Sequence, residues 1–150
     1  MRPITTAVLV LVFASHPLPA QWSSRLHSTL PSWADSALTS ARFWETYDFT
    51  SYISPLVGLG DLDGDGLWDV AIGIVDKGGR RRGVAIVHQI DRSVHIVGVG
   101  QPLSTGRAGV ESWGLAALTH ERAAIRVADW HVNGWFAWDG TNYVWVPDSP

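Results

Sequence analysis

Residues 60–73 read "GDLDGDGLWDVAIG" and place Asp61, Asp63, Asp65 and Asp69 in a single turn that runs straight into alternating apolar residues. Carboxylates held this close repel one another or take up protons unless a cation offsets them. Counted from Asp61, side-chain carboxylates stand at positions one, three, five and nine. The backbone carbonyl of Leu67 is available at seven, and Gly64 and Gly66 let the chain curl inward. That is an oxygen cage for a hard cation of calcium size. Magnesium is the weaker candidate, because it demands a tight octahedron and prefers to keep its waters. The first six positions also fit an EF-hand, which needs a bidentate glutamate at position twelve and a helix on exit. This chain has Ile72 there and leaves the turn in β-branched alternation, so the EF-hand reading fails. The alternative to a metal site is an acidic, solvated hairpin turn, since Asp-Gly pairs favour turns.

Working outward, Trp68, Val70, Ile72 and Ile74 are expected on one face of a strand. "DKGGR" at 76–80 reads as a turn, "GVAIVHQI" at 83–90 as an antiparallel return, and "SVHIVGVG" at 93–100 as a third strand beyond the turn at Asp91-Arg92. Residues 101–113, rich in turn formers, are expected to form an exposed loop. Three further strands, 121–130, 134–138 and 142–146, are divided by Asn133-Gly134 and Asp139-Gly140, which tolerate positive φ. Upstream, Ser32 and Asp35 have the spacing of a capping box, and Trp33, Ala37 and Ala41 recur every four residues, so the pattern predicts one helix over about 32–41. The expected fold is mainly β: an antiparallel meander or small sheet domain over about 52–146, with one N-terminal helix and the calcium loop between two strands.

The N-terminus reads as a secretory signal peptide over 1–20. It offers Arg2, the short apolar run "AVLVLVFA" and "HPLPA" ending on a small residue, with the cut expected before Gln21. The expected location is therefore secreted or periplasmic. No apolar run is long enough for a membrane helix. Without its first twenty residues the chain keeps ten basic and fourteen acidic side chains, a balance of −4 that argues against nucleic acid. The remaining 21–150 has the length of a single domain, and with no cysteine it has neither disulfides nor thiolate metal sites to hold it together.

"GDLDGDGLWDVAIG" resembles the calcium loop and following strand of the FG-GAP/VCBS type of repeat, familiar from integrin α-chain propellers and many exported bacterial proteins. The match covers about residues 56–75 in a single copy. The resemblance implies Ca2+ bound by the side chains of Asp61, Asp63, Asp65 and Asp69 and the carbonyl of Leu67. The whole layout, with its "LPSWADSAL" helix, "GVAIVH" strand and "WDGTNYVW" end, also resembles small exported bacterial proteins carrying a lone loop of this type, which brings no activity with it.

Other chemistry is sparse. The chain holds no Gly-x-Ser-x-Gly elbow, no His-Glu-x-x-His and no phosphate-cradling glycine loop. His88 and His95 fall on neighbouring strands, where a cross-strand pair outweighs a zinc site that lacks a third ligand. Phe136, Trp138, Tyr143 and Trp145 either fill the core or form a row for stacking on sugar rings, and core is favoured in a small domain. "GGRRRG" at 78–83 reads as a solvated hairpin tip. The expected function is binding or interaction, with an unidentified protein or cell-surface glycan as partner. A carbohydrate-binding module using the aromatics and an exported hydrolase are the alternatives, and no catalytic residue is assigned.

Overall fold

The computed structural model describes residues 27–50, 56–79, 81–100, 102–103, 107–108, 110, 113–117, 123–128 and 133–148. The expected signal segment and its cut, and Tyr52, Arg80 and Trp130, lie outside the described residues. The domain is mainly β, as the pattern predicts, but it holds two stacked antiparallel sheets rather than one meander. Helix α1 (Ser32–Ser40) and a 3-10 turn (Phe43–Glu45) precede β1 (Tyr47–Phe49), β2 (Val57–Gly60), β3 (Asp69–Asp76), β4 (Arg82–Val87) and β5 (Val94–Val97). These strands make the first sheet, in the order β1-β3-β4-β5, and β2 shares with β1 the edge of β3 that faces away from β4. A short ribbon of β6 (Pro102–Leu103) and β7 (Arg107–Ala108) follows. Strands β8 (Trp113–Ala117), β9 (Ala123–Ala128), β10 (Asn133–Trp138) and β11 (Tyr143–Pro147) then form the second sheet as a plain meander.

The central strands are covered on both faces, which makes the first sheet the middle of three layers. Val70, Ile72 and Ile74 of β3 pack with Ala85 and Val87 of β4 against Leu30, Ala34, Leu38 and Phe43 on the helical side. Ala71, Val84, Ile86 and Val97 face the other way, onto Trp113, Ile125, Val127 and Phe136 of the second sheet. This accounts for the runs "VAIGI" and "GVAIV": a strand with core on both sides has no polar face to alternate with. Each fully buried Val, Leu, Ile or Phe among them contributes about 1.5–3 kcal/mol of transfer free energy.

Five expectations are corrected. Asn133-Gly134 is not a turn: both residues belong to β10, paired with Ala128 and Val127 of β9, and Gly134 does not take positive φ, because the ladder between β9 and β10 runs on through them. Trp68 does not begin the strand; β3 starts at Asp69, and the Trp68 side chain is 66% exposed. Residues 101–113 are not simply an exposed loop. Their described part includes the β6/β7 ribbon and the buried Val110 and Trp113, and the Val110 N–H donates to the Arg82 carbonyl at 3.0 Å, because these apolar side chains close the gap between the sheets. The helix has no capping box. Pro31 is its N-cap, and the Pro31 carbonyl accepts from Ala34 and Asp35, while the Asp35 carboxylate lies 2.7 Å from His27 Nδ1. Its buried seam is Ala34, Ala37 and Leu38 rather than Trp33, Ala37 and Ala41, and Trp33 lies under the Arg92 guanidinium at 4.8 Å.

The aromatics of the last hairpin pack across the strand pair. Phe136 lies 5.0 Å from its cross-strand partner Trp145, and Trp138 lies 5.0 Å from Tyr143. Trp135 and Trp138, three apart, take opposite faces: Trp135 lies beside the Arg126 guanidinium at 5.2 Å and Trp138 against the two histidines. The layering sets two contrasting expectations for urea unfolding. Phe136→Ala removes a ring 2% exposed at the centre of the inter-sheet core and is expected to lower stability by about 3–5 kcal/mol. Trp68→Ala is expected to change it by less than about 0.5 kcal/mol. A large loss from the second substitution would mean that Trp68 belongs to the core.

Candidate metal centre

The loop from Asp61 to Trp68 joins β2 to β3 and is built by its own carboxylates. Asp61 accepts from the N–H groups of Gly64 through Oδ1 (2.7 Å) and Gly66 through Oδ2 (2.9 Å). Asp63 Oδ1 accepts from Asp65 N–H at 3.0 Å, and Asp65 Oδ1 from Leu67 N–H at 2.7 Å. Gly64 and Gly66 hold φ of 89° and 85°, the left-handed region that side chains avoid, so this winding needs glycine at both positions. Leu62, between the first two aspartates, is fully buried and pins the loop to the inter-sheet core.

Asp69 differs from the other three. It is fully buried at the first position of β3, with Oδ2 accepting from Leu62 N–H at 2.8 Å and Oδ1 from Gln89 N–H at 3.0 Å. Burial pushes its pKa up, the two backbone donors pull it down, the Asp63 charge raises it and His88 lowers it. The carboxylate thus staples the start of the loop and the end of β4 to β3.

The structure brings the predicted residues together in two overlapping groups. Oxygens of Asp61, Asp63 and Asp65 lie within 4.8 Å of one another, and so do donor atoms of Asp63, Asp69 and His88. Leu67 is in the same turn, with its side chain exposed. A carboxylate oxygen that accepts one N–H retains a second lone pair, so the hydrogen bonds that shape the loop leave acceptor capacity for a cation. The donors of the first group are all hard oxygens, which suits calcium or magnesium rather than a soft metal. The chain leaves the loop as a strand, with Ile72 at position twelve fully buried, and neither feature belongs to an EF-hand.

Sequence reasoning left His88 in a pair with His95 and missed its acidic neighbours. His88 is 1% exposed, its Nδ1 lies 3.4 Å from Asp63 Oδ2 and 3.2 Å from Ser93 Oγ, and its Nε2 lies 2.7 Å from the Tyr143 hydroxyl. The signal was in the hairpin register: Val70 pairs with Val87, so the next step sets residue 88 level with Asp69. Ser93 Oγ also lies 2.9 Å from His95 Nε2. One hydroxyl proton serves at most one of the two imidazoles, so at least one of them donates to Ser93 Oγ. Burial, then the neighbouring His88, lowers the His95 pKa. Trp138 packs against both imidazoles at 4.9 Å, so the histidines tie the loop to β10 and β11 of the second sheet.

Comparison of the chain with known protein families, with characterised proteins and with solved structures finds no match in any of the three. Among the described residues, no helix is long and apolar enough to cross a membrane.

Two substitutions separate the staple from the cage. Asp69→Asn sets a carboxamide N–H against one of two buried backbone donors and is expected to cost about 1–3 kcal/mol even in the presence of a chelator. Asp65→Asn keeps an oxygen for Leu67 N–H and, in chelator, is expected to stay within about 0.5 kcal/mol of the wild type. Urea unfolding of the two variants in chelator checks both, and equal losses would contradict the division of roles.

Proposed function

We propose that this is an exported calcium-binding β domain that acts as a binding or interaction module, with the cation structural. The observation that carries the reading is the convergence of Asp61, Asp63 and Asp65 oxygens within 4.8 Å, in a loop whose shape is already set by hydrogen bonds. In this reading residues 56–75 form a lone repeat of the FG-GAP/VCBS type. Asp61, Asp63, Asp65 and the Leu67 carbonyl hold the ion, and Asp69 completes the ligand set from the sheet. The secreted or periplasmic location expected from the N-terminus supplies calcium at concentrations that suit a weak site. The partner is a protein or a cell-surface glycan, met on a surface that the ion keeps in shape.

Calcium that binds only the folded state adds stability by mass action. A site with a Kd of about 10⁻⁴ M in about 1 mM calcium gains roughly 1.4 kcal/mol. For a domain of this size that is a rise in Tm of roughly 5 °C. The expected outcome is a higher Tm in calcium than in chelator for the wild type, and no difference for Asp65→Ala, which still folds at low temperature. Wild-type melting curves that coincide in the two buffers would reject the metal site and leave the aspartates as a solvated turn.

A further inference from the structure

The second donor group at the loop, Asp63, Asp69 and His88, differs from the first in chemistry and in depth. It includes an imidazole nitrogen, and its donor atoms lie within 4.8 Å of one another. Asp69 is fully buried, the His88 side chain is 2% exposed and that of Asp63 16%. The imidazole comes from the end of β4 and not from the loop, so the hairpin register sets it beside the carboxylates independently of the aspartate spacing.

The spacing fits two ligands of one ion. His88 Nδ1 faces Asp63 Oδ2 at 3.4 Å, beyond the roughly 2.7–3.2 Å usual for a hydrogen bond. Two ligands held about 2.0–2.1 Å from one tetrahedral zinc stand about 3.4 Å apart. The remaining atoms of each side chain are already tied down. Asp69 accepts one backbone N–H on each oxygen and keeps a second lone pair on each. Asp63 uses Oδ1 for the Asp65 N–H and turns Oδ2 to the imidazole. His88 Nε2 lies 2.7 Å from the Tyr143 hydroxyl. That is the outer partner of a ligating histidine whose Nε2–H donates while the Nδ1 lone pair takes the ion. Ser93 Oγ, 3.2 Å from Nδ1, also lies 2.9 Å from His95 Nε2. The Ser93 N–H, and then its hydroxyl, hold the Asp91 carboxyl below its usual range, so the hydroxyl keeps partners when Nδ1 turns to an ion.

We propose that Asp63, Asp69 and His88 form an inner site for a divalent ion of the zinc class, separate from the calcium cage and sharing Asp63 with it. Imidazole nitrogen beside carboxylate oxygen suits zinc, whereas calcium and magnesium take oxygen ligands. Three protein ligands leave the fourth tetrahedral position to water. Burial and the Asp63 charge oppose ionisation of Asp69, and the ion offsets both. The inner site does not require calcium in the outer cage.

Calorimetric titration of the full chain with zinc, stripped of metal and kept free of calcium, tests it, with cobalt(II) as a visible probe of coordination. The wild type is expected to bind one zinc ion per chain, to shift the His88 ring signals in NMR, and to give the intense visible absorption of four-coordinate cobalt(II). His88→Gln and Asp63→Asn are each expected to weaken zinc by at least about tenfold, the loss that even an outer-shell change brings. Asp65→Asn, which touches only the outer cage, and His95→Gln, which removes the neighbouring imidazole, are expected to bind zinc as the wild type does. Should His88→Gln fail to fold, Asp63→Asn decides the outcome. Zinc affinity unchanged in Asp63→Asn, zinc affinity lost in His95→Gln, or the weak spectrum of octahedral cobalt(II) would overturn the proposal. A chain that responds to calcium but binds no zinc would overturn the inner site and leave the calcium reading standing.

Discussion

The Asp69 carboxylate is the contact on which the loop, both central strands and the candidate site depend. A carboxylate taken out of water is costly unless donors replace the lost hydration. Here the replacements are the Leu62 and Gln89 N–H groups, which belong to the loop start and to the chain leaving β4. One side chain therefore sets the position of three segments. Its elevated pKa records the strain: burial and the neighbouring Asp63 charge work against ionisation, and the two backbone bonds and His88 only partly offset them. A cation shared with Asp63 would act in the same direction as those bonds. This is the physical link between the fold and the proposed calcium, since the ion would relieve a repulsion that the fold itself creates.

The rest of the architecture serves to bury that corner. Without cysteines, the chain holds itself together by packing, and it gains most from placing the first sheet between a helix and a second sheet. The second sheet contributes more than apolar area. Tyr143 and Trp138 reach the imidazole of His88, which faces Asp63 on its other side, so loop and second sheet meet through one buried ring. Among the described residues of that sheet, Leu115, Val144 and Val146 are the large apolar side chains that this packing leaves exposed.

How much of this was legible depends on the range of the interaction. The aspartate spacing, the β4 return and the Asp139-Gly140 turn are local signals, and each leads to the strand or turn it predicts, whereas Asn133-Gly134 opens β10 in register with Ala128 and Val127 instead of turning. The stacking of two sheets is not local. A run such as "VAIGI" looks the same whether one or both faces are buried, so Trp68 was read as continuing the strand when tertiary packing leaves it outside. Val110 and Trp113 were hidden among turn formers because their burial comes from the sheet above them rather than from their own neighbours. The helix cap was misread because Pro31, its ring holding φ at −55° with ψ extended at 137°, supplies the first carbonyl one residue before Ser32. His88 was within reach, since the hairpin register alone sets it beside Asp69.

The central claim is that a loop already shaped by its own hydrogen bonds takes one calcium ion. A calcium titration of chelator-stripped protein followed by amide NMR tests it most directly. The account predicts saturable shifts confined to residues 61–69 and to His88 and Gln89, one ion per chain, and a Kd of about 10⁻⁴ M for a weak extracellular-type site. It also predicts that the Leu62 and Gln89 amides are protected from exchange before any calcium is added. Shifts that rise linearly and are scattered over all the acidic residues, or Leu62 and Gln89 amides that become protected only with calcium, would contradict it.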